Sequence, residues 1–149
     1  MTNPILTIVE QSNIDTGSWF SKLSHPLRNA ILSRAAVRRL PDGAMMSSRG
    51  AAADEWCGVA KGAVRVSSVS LAGKQITLTY VEPGTWFGDI SLFDGLPRTH
   101  DSNSHGETTL LVVRKADFKD LLAQHTELYE ALLRLNCRRL RLKIGRAHV

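Results

Sequence analysis

The chain has little cysteine, no long apolar run and no closely paired histidines, and each lack removes a class of protein. Its two cysteines, Cys57 and Cys137, stand far apart. They read as free thiols of a reducing compartment, and they are too few for the four thiolates of an iron–sulfur cluster. No apolar run approaches the roughly 18–20 residues that cross a bilayer. Met1 to Glu10 carries no early Lys or Arg and no long apolar core, so it does not read as a signal peptide. The expectation is a cytoplasmic protein without membrane contact. The histidines (His25, His100, His105, His125 and His148) contain no H-x-H pair of the metal-holding kind. There is also no G-x-S-x-G and no cysteine in an elbow-like setting. No enzyme activity, metal or cofactor is expected.

What remains is ordinary globular material. Apolar residues make up 43% and charged residues 22% of 149, enough for one domain with a real core. The net charge of +5 is concentrated late, at Arg134, Arg138, Arg139, Arg141, Lys143 and Arg146. A basic tail can meet nucleic acid. It is also what a solvated helix face looks like.

The most informative stretch is Glu82 to Asp101, E-P-G-T-W-F-G-D-I-S-L-F-D-G-L-P-R-T-H-D. Pro83-Gly84 signals a turn. Gly88 and Asp89 precede the short apolar run Ile90 to Phe93, which suits one helical turn with Asp89 as N-cap. Asp94-Gly95 closes that turn, and Arg98-Thr99 lead into a strand. A glycine, a helix start and an arginine make an anion cradle: backbone N–H groups and a guanidinium fork converge on one phosphate.

Around this stretch the pattern is short strands, then helices. Residues 1 to 17 are polar and irregular, and are expected to be frayed. Trp19, Phe20 and Leu23 form a small apolar cluster. Pro26 opens a helix through Leu27, Ile31 and Leu32, and Ala35 to Leu40 ends at the turn Pro41-Asp42-Gly43. Strands are predicted at Trp56 to Ala60, Ala63 to Ser70, Gln75 to Val81, Thr99 to Ser104 and Thr108 to Arg114. Their near-regular spacing favours an antiparallel roll or jelly roll. Phe118, Leu121 and Leu122 mark a short helix. After His125 a longer one follows, with Leu128, Leu132, Leu135 and Leu142 on one seam and Arg139 at the i+11 place. That spacing suits a two-stranded helical interface, or packing on the chain's own roll.

The order F-G-D-I-S-L-F-D-G-L-P-R-T resembles the phosphate-binding cassette of cyclic-nucleotide-binding domains. With the flanks Gly58 to Val66, Gly73 and Glu82-Pro83-Gly84, the stretch from about Leu23 to Leu142 resembles the effector domain of the Crp/Fnr superfamily of bacterial transcription regulators. The resemblance implies a mainly β fold with flanking helices, an antiparallel β-roll and a long C-terminal dimerisation helix. Its divisions are a lead-in over 1–22, a roll over 23–125 and a dimer helix over 126–142. It implies a homodimer through Leu128, Leu132, Leu135 and Leu142. It also implies a ligand site for cAMP or another cyclic nucleotide. In that site Gly88, Ile90 and Ser91 offer backbone N–H groups, and Arg98 and Thr99 hold the cyclic phosphate. Asp89 stands where the family usually has Glu, one methylene longer, accepting from the ribose 2′-hydroxyl. Arg139 matches a helix arginine that approaches the ligand in some members, and the family's base-contacting threonine falls at Lys143. His100 and Asp101 follow where the family often has Ala, and Asp101 brings a carboxylate that opposes anion binding.

The ending Ile144 to Val149, I-G-R-A-H-V, matches one translated frame of a widely used short-read sequencing adapter, with Lys143 from the preceding codon. The expectation is that 143–149 is a non-native tail and that a helix-turn-helix domain is missing beyond it. DNA and RNA polymerase would be reached only through that domain. The alternative is a stand-alone nucleotide-sensing module acting through a partner protein. A cupin-type metalloenzyme shares the roll, but His100, His105 and Glu107 flank Gly106 and read as loop residues.

Overall fold

Two long strands carry the architecture. The computed structural model describes residues 5–147; the first four residues of the expected lead-in and the last two of the expected tail lie outside them. β3 (Glu55–Val69) and β6 (Asp101–Arg114) pair antiparallel almost end to end, from Glu55 opposite Arg114 to Ser67 opposite Asp101. Each was expected as two strands split at a glycine. Instead Gly62 and Gly106, both at positive φ, sit within continuous strands. The register shifts on either side of Lys61, so Gly62 marks a bulge that bends the ladder rather than a hairpin. A Cβ at Gly62 would collide with the Glu107 carbonyl, which is why the bend takes glycine.

The remaining strands complete an antiparallel six-stranded sheet around this pair. β1 (Ala36–Leu40) and β2 (Met45–Ser47) lie on β6, while β4 (Gln75–Val81) and β5 (Trp86–Phe87) lie on β3. β2 and β5 are too short to show a period, so the sequence pattern missed them. Residues 110–113 show how the roll closes. Leu111 and Val113 pack into a core shared with the helices, and Leu110 and Val112 into a second core inside the roll with Cys57, Val59 and Val64. Successive side chains leave opposite faces of a strand, and here both faces are covered. β4 matches its predicted span, yet Ile76, Leu78 and Tyr80 remain exposed.

The helices cover one side. The lead-in is ordered from Ile8 to Asp15 as α1, contrary to the expected fraying. The cause is a capping box: Glu10 N–H donates to Thr7 Oγ1 at 3.1 Å, and Thr7 N–H donates to Glu10 Oε1 at 2.9 Å. Glu10 also takes a two-pronged contact from Arg39 of β1, at 2.6 and 3.0 Å, which ties α1 to the sheet. That guanidinium holds the Glu10 carboxyl down to about 2 against the opposing effect of burial. Periodicity gave no sign of α1 because only Glu10 and Ile14 of its eight residues are buried.

α2 (His25–Arg34) starts at a Ser24 cap with proline in its first turn, as predicted. α4 (Lys115–Gln124) and α5 (Thr126–Ala147) pack beside it. The joint core is aromatic: Trp56 lies 4.5 Å from Trp86, 5.2 Å from Phe118 and 6.0 Å from Trp19 between ring centroids.

Two of the four leucines expected at the interface are covered by the chain itself. Leu128 and Leu132 are fully buried in the chain's own core, and Leu135 packs against it, half-buried. Of the four seam leucines only Leu142 is exposed. An apolar stripe records that a helix face is covered, not by what. The exposed stripe on α5 is a different one, Leu133, Cys137 and Leu140, at steps of four and three.

Candidate functional site

The stretch 82–101 builds one wall of a cleft of about 570 Å³. Thr85 N–H donates to Glu82 O across the predicted turn at 3.2 Å. β5 then pairs with β3, setting Phe87 opposite Cys57 and Trp86 opposite Gly58. Gly88 follows at φ 96°, a conformation that ordinary L residues rarely hold. It, and not Asp89, is the cap of α3 (Asp89–Asp94), which ends at Gly95, also left-handed.

Arg98 is seated beneath that turn. Its Nη1 donates to Gly88 O at 3.0 Å and its Nη2 to Glu55 O at 2.7 Å. Its backbone is strapped on both sides: Arg98 N–H donates to Ala51 O at 2.9 Å, and Arg98 O accepts from Gly50 N–H at 2.8 Å. A Cβ on Gly88 would stand 3.0 Å from Glu55 O and 3.3 Å from both Arg98 terminal nitrogens. The positive φ favours glycine there, and a Cβ would press on these neighbours. Among the described residues, two of the five guanidinium N–H groups are engaged in this way and three have no protein acceptor.

Gly88, Asp89, Ile90, Ser91, Arg98, Thr99 and Arg139 all line the one cleft, so the predicted site residues are brought together. Two differ from expectation in detail. Asp89 does not face the cleft as an open carboxylate. It is completely buried, accepting from Asn136 Nδ2 at 2.8 Å and from Arg139 Nη1 at 3.1 Å. Arg139 belongs to this cluster rather than to the leucine seam, and its Nη2 also donates to Trp86 O at 2.7 Å. Asp101 was expected to oppose an anion. Its carboxylate instead accepts from Arg49 N–H at 2.7 Å, and it is not among the residues lining the cleft.

Sequence reasoning missed the opposite wall, Thr79, Tyr80 and Val81, the helix anchor Asn136, and the place of Glu82 and His100 in the cleft. β4 was recognised as a strand, but no local signal says that it closes a cleft. His100 was noticed only as a departure; its Nδ1 lies 2.8 Å from Thr99 Oγ1. Lys143 lines a neighbouring apolar groove between α3 and α5, not the cleft itself. His105 packs against Tyr80 with ring centroids 4.9 Å apart and the planes tilted by 58°. Among the described residues no cluster of His, Cys, Asp or Glu is placed to hold a metal ion. Among them, too, no helix is long and apolar enough to cross a membrane.

Chemically, the cleft offers guanidinium donors beside a tight glycine turn, an aromatic and aliphatic wall from β4, and a helix that closes one side through a charged contact. A family model described as the cyclic nucleotide-binding domain matches residues 37–125. The CRP-like cAMP-activated global transcriptional regulator of Mycobacterium tuberculosis is 29% identical over 101 residues, 68% of this chain and 45% of that protein. The chain thus spans about half the length of this relative. Among solved structures, the catabolite activator protein of Thermus thermophilus superposes with a TM-score of 0.77 at 29% identity, over 84% of this chain and 59% of that one. The N-terminal domain of a transcriptional regulator from Streptomyces coelicolor A3(2) gives 0.73 at 28% identity, over 92% and 95%.

Proposed function

The chain belongs to the cyclic nucleotide-binding domain family, and on that premise we propose that it is the non-enzymatic sensor half of a CRP-like transcription regulator, taking a cyclic nucleotide such as cAMP in the cleft. The observation that carries the reading is the seat of Arg98. A guanidinium with donors that no described residue accepts lies 3.0 Å from the Gly88 carbonyl, inside a cleft whose far side is α5. The volume, about 570 Å³, falls within the range of small-molecule sites. Arg98 and Thr99 hold the cyclic phosphate, and the β4 wall takes the base.

α5 is the route by which occupancy would be read. It touches the cleft through Arg139 and carries the exposed stripe Leu133, Cys137 and Leu140, spaced for pairing with the same helix of a second copy. A ligand that binds two arrangements of that helix pair unequally shifts their populations. DNA would then be engaged by a further domain following α5. This reading is tested by calorimetric titration of the chain with 3′,5′-cAMP and 3′,5′-cGMP. Saturable binding of one molecule per chain is expected. Neither heat nor a rise in Tm at millimolar nucleotide would overturn it.

A further inference from the structure

Resting on the nucleotide reading above, we infer that His100 is a positioning residue for the ligand phosphate: it withholds the Thr99 hydroxyl proton when neutral and releases it when charged, so that the cleft binds a cyclic phosphate more tightly as the medium turns acid. Both side chains line the cleft and both are exposed. His100 Nδ1 lies 2.8 Å from Thr99 Oγ1, and among the described residues neither side chain has another hydrogen-bond partner.

The argument is a count of protons. A hydroxyl carries one proton and two lone pairs. A cyclic phosphate is a diester, and its free oxygens only accept. A neutral imidazole has one nitrogen with a lone pair. With that nitrogen at Nδ1, the ring and a phosphate oxygen compete for the same Thr99 proton, and the hydroxyl cannot serve both. In the imidazolium both ring nitrogens donate. Nδ1 then gives its proton to Thr99 Oγ1, and the hydroxyl proton is released toward the phosphate. The neutral ring reaches this arrangement only by carrying its proton on Nδ1 instead of Nε2, and it then brings no charge.

The surrounding charges couple the ring to the ligand. Arg98 adjoins Thr99, and Arg139 reaches the same cleft from α5. A further cation beside these two is disfavoured in the empty cleft and favoured once an anion occupies it. Glu82 and Asp94 line the cleft with exposed side chains, and Asp89 is paired with Arg139. Asp101, next along the chain, accepts from Arg49 N–H and does not line the cleft. Carboxylates and guanidinium groups ordinarily keep their charge between about pH 5.5 and 8, where histidine changes its own. A phosphodiester has no second proton to lose there. His105 is the other histidine close by, against Tyr80 of β4, so the test must single out His100.

Calorimetric titration of the full chain with 3′,5′-cAMP from pH 8 to pH 5.5 reads the linkage. Wild-type Kd should fall about three- to tenfold over that span, the difference between a neutral and a charge-assisted hydrogen bond. His100→Gln, polar but not titratable, should flatten the profile to within about 1.5-fold. Thr99→Val keeps the ring and removes the hydroxyl, and should lose most of the acid gain. A flat wild-type profile overturns the inference. So does a full wild-type slope in His100→Gln, which assigns the titration to another group, or in Thr99→Val, which leaves the ring acting by charge alone. Long-range nitrogen–proton NMR of the ligand-free chain at pH 8 gives a readout that needs no nucleotide. The His100 proton should sit on Nε2, with Nδ1 bare; a proton already on Nδ1 overturns the inference. Should no nucleotide bind at any pH, the nucleotide reading falls while the ring's tautomer still decides whether His100 holds the Thr99 proton.

Discussion

Arg98→Ala removes the guanidinium from beneath the glycine turn, and its effects divide into a large one on binding and a small one on folding. The backbone of residue 98 stays strapped, because its N–H to Ala51 O and its carbonyl to Gly50 N–H do not involve the side chain. Two carbonyls, those of Gly88 and Glu55, lose a donor. A buried acceptor left unpaired costs about 1–3 kcal/mol. Arg98 is only half-buried and the cleft is open to water, so the two together should cost about 1–2 kcal/mol. For a chain of this size that lowers Tm by about 2–8 °C. Ligand phosphate loses a charged fork held in place, and truncating one partner of such a pair costs about 2–5 kcal/mol. At 1.4 kcal/mol per tenfold, Kd should rise by about 30-fold to 4,000-fold. Calorimetry with 3′,5′-cAMP reads this directly, and a thermal melt reads the folding effect. Arg98→Lys keeps the charge but not the fork, so its affinity should lie between the two. An Arg98→Ala protein that binds within threefold of wild type would refute the placement of the phosphate.

Two further outcomes follow from the helices and their anchors. Leu133→Glu and Leu140→Glu, on the exposed stripe of α5, should give folded monomers by light scattering. Leu132→Ala, fully buried, should instead lower stability by about 2–5 kcal/mol; a dimer that survives both charges would place the interface elsewhere. The Glu10 pair should show in acid. Its folded pKa, about 2, lies below the ordinary 4.5, so its contribution is complete above about pH 4.5 and drains as pH falls toward 2. Arg39 is half exposed, so solvent screening keeps the pair's contribution small. Glu10→Gln should melt lower than wild type at pH 7, and the gap should narrow by pH 2.5. A gap independent of pH would remove the ion pair from the account.

Local chemistry determined much of this protein from the sequence. The order of the cassette, the glycine that closes α3, the proline that opens α2 and the strand at Gln75 to Val81 all rest on neighbours within a few residues. So does the capping box at Thr7 and Glu10, a T-x-x-E pattern legible in principle beside a helix whose apolar period was too weak to notice. Tertiary structure decided which partner each surface met. Gly62 and Gly106 look like turn glycines until the long β3–β6 pairing makes them bends, because a positive φ serves either purpose. The leucines of α5 have the spacing of any covered face, and only packing against the aromatic core shows that Leu128 and Leu132 are covered from within. Asp89 is the sharpest case. In sequence it is a capping residue or a sugar ligand, both local roles for a short carboxylate. In the fold, Asn136 and Arg139 arrive from far along the chain at 2.8 and 3.1 Å and claim it, because a carboxylate without solvent must be paired where it lies.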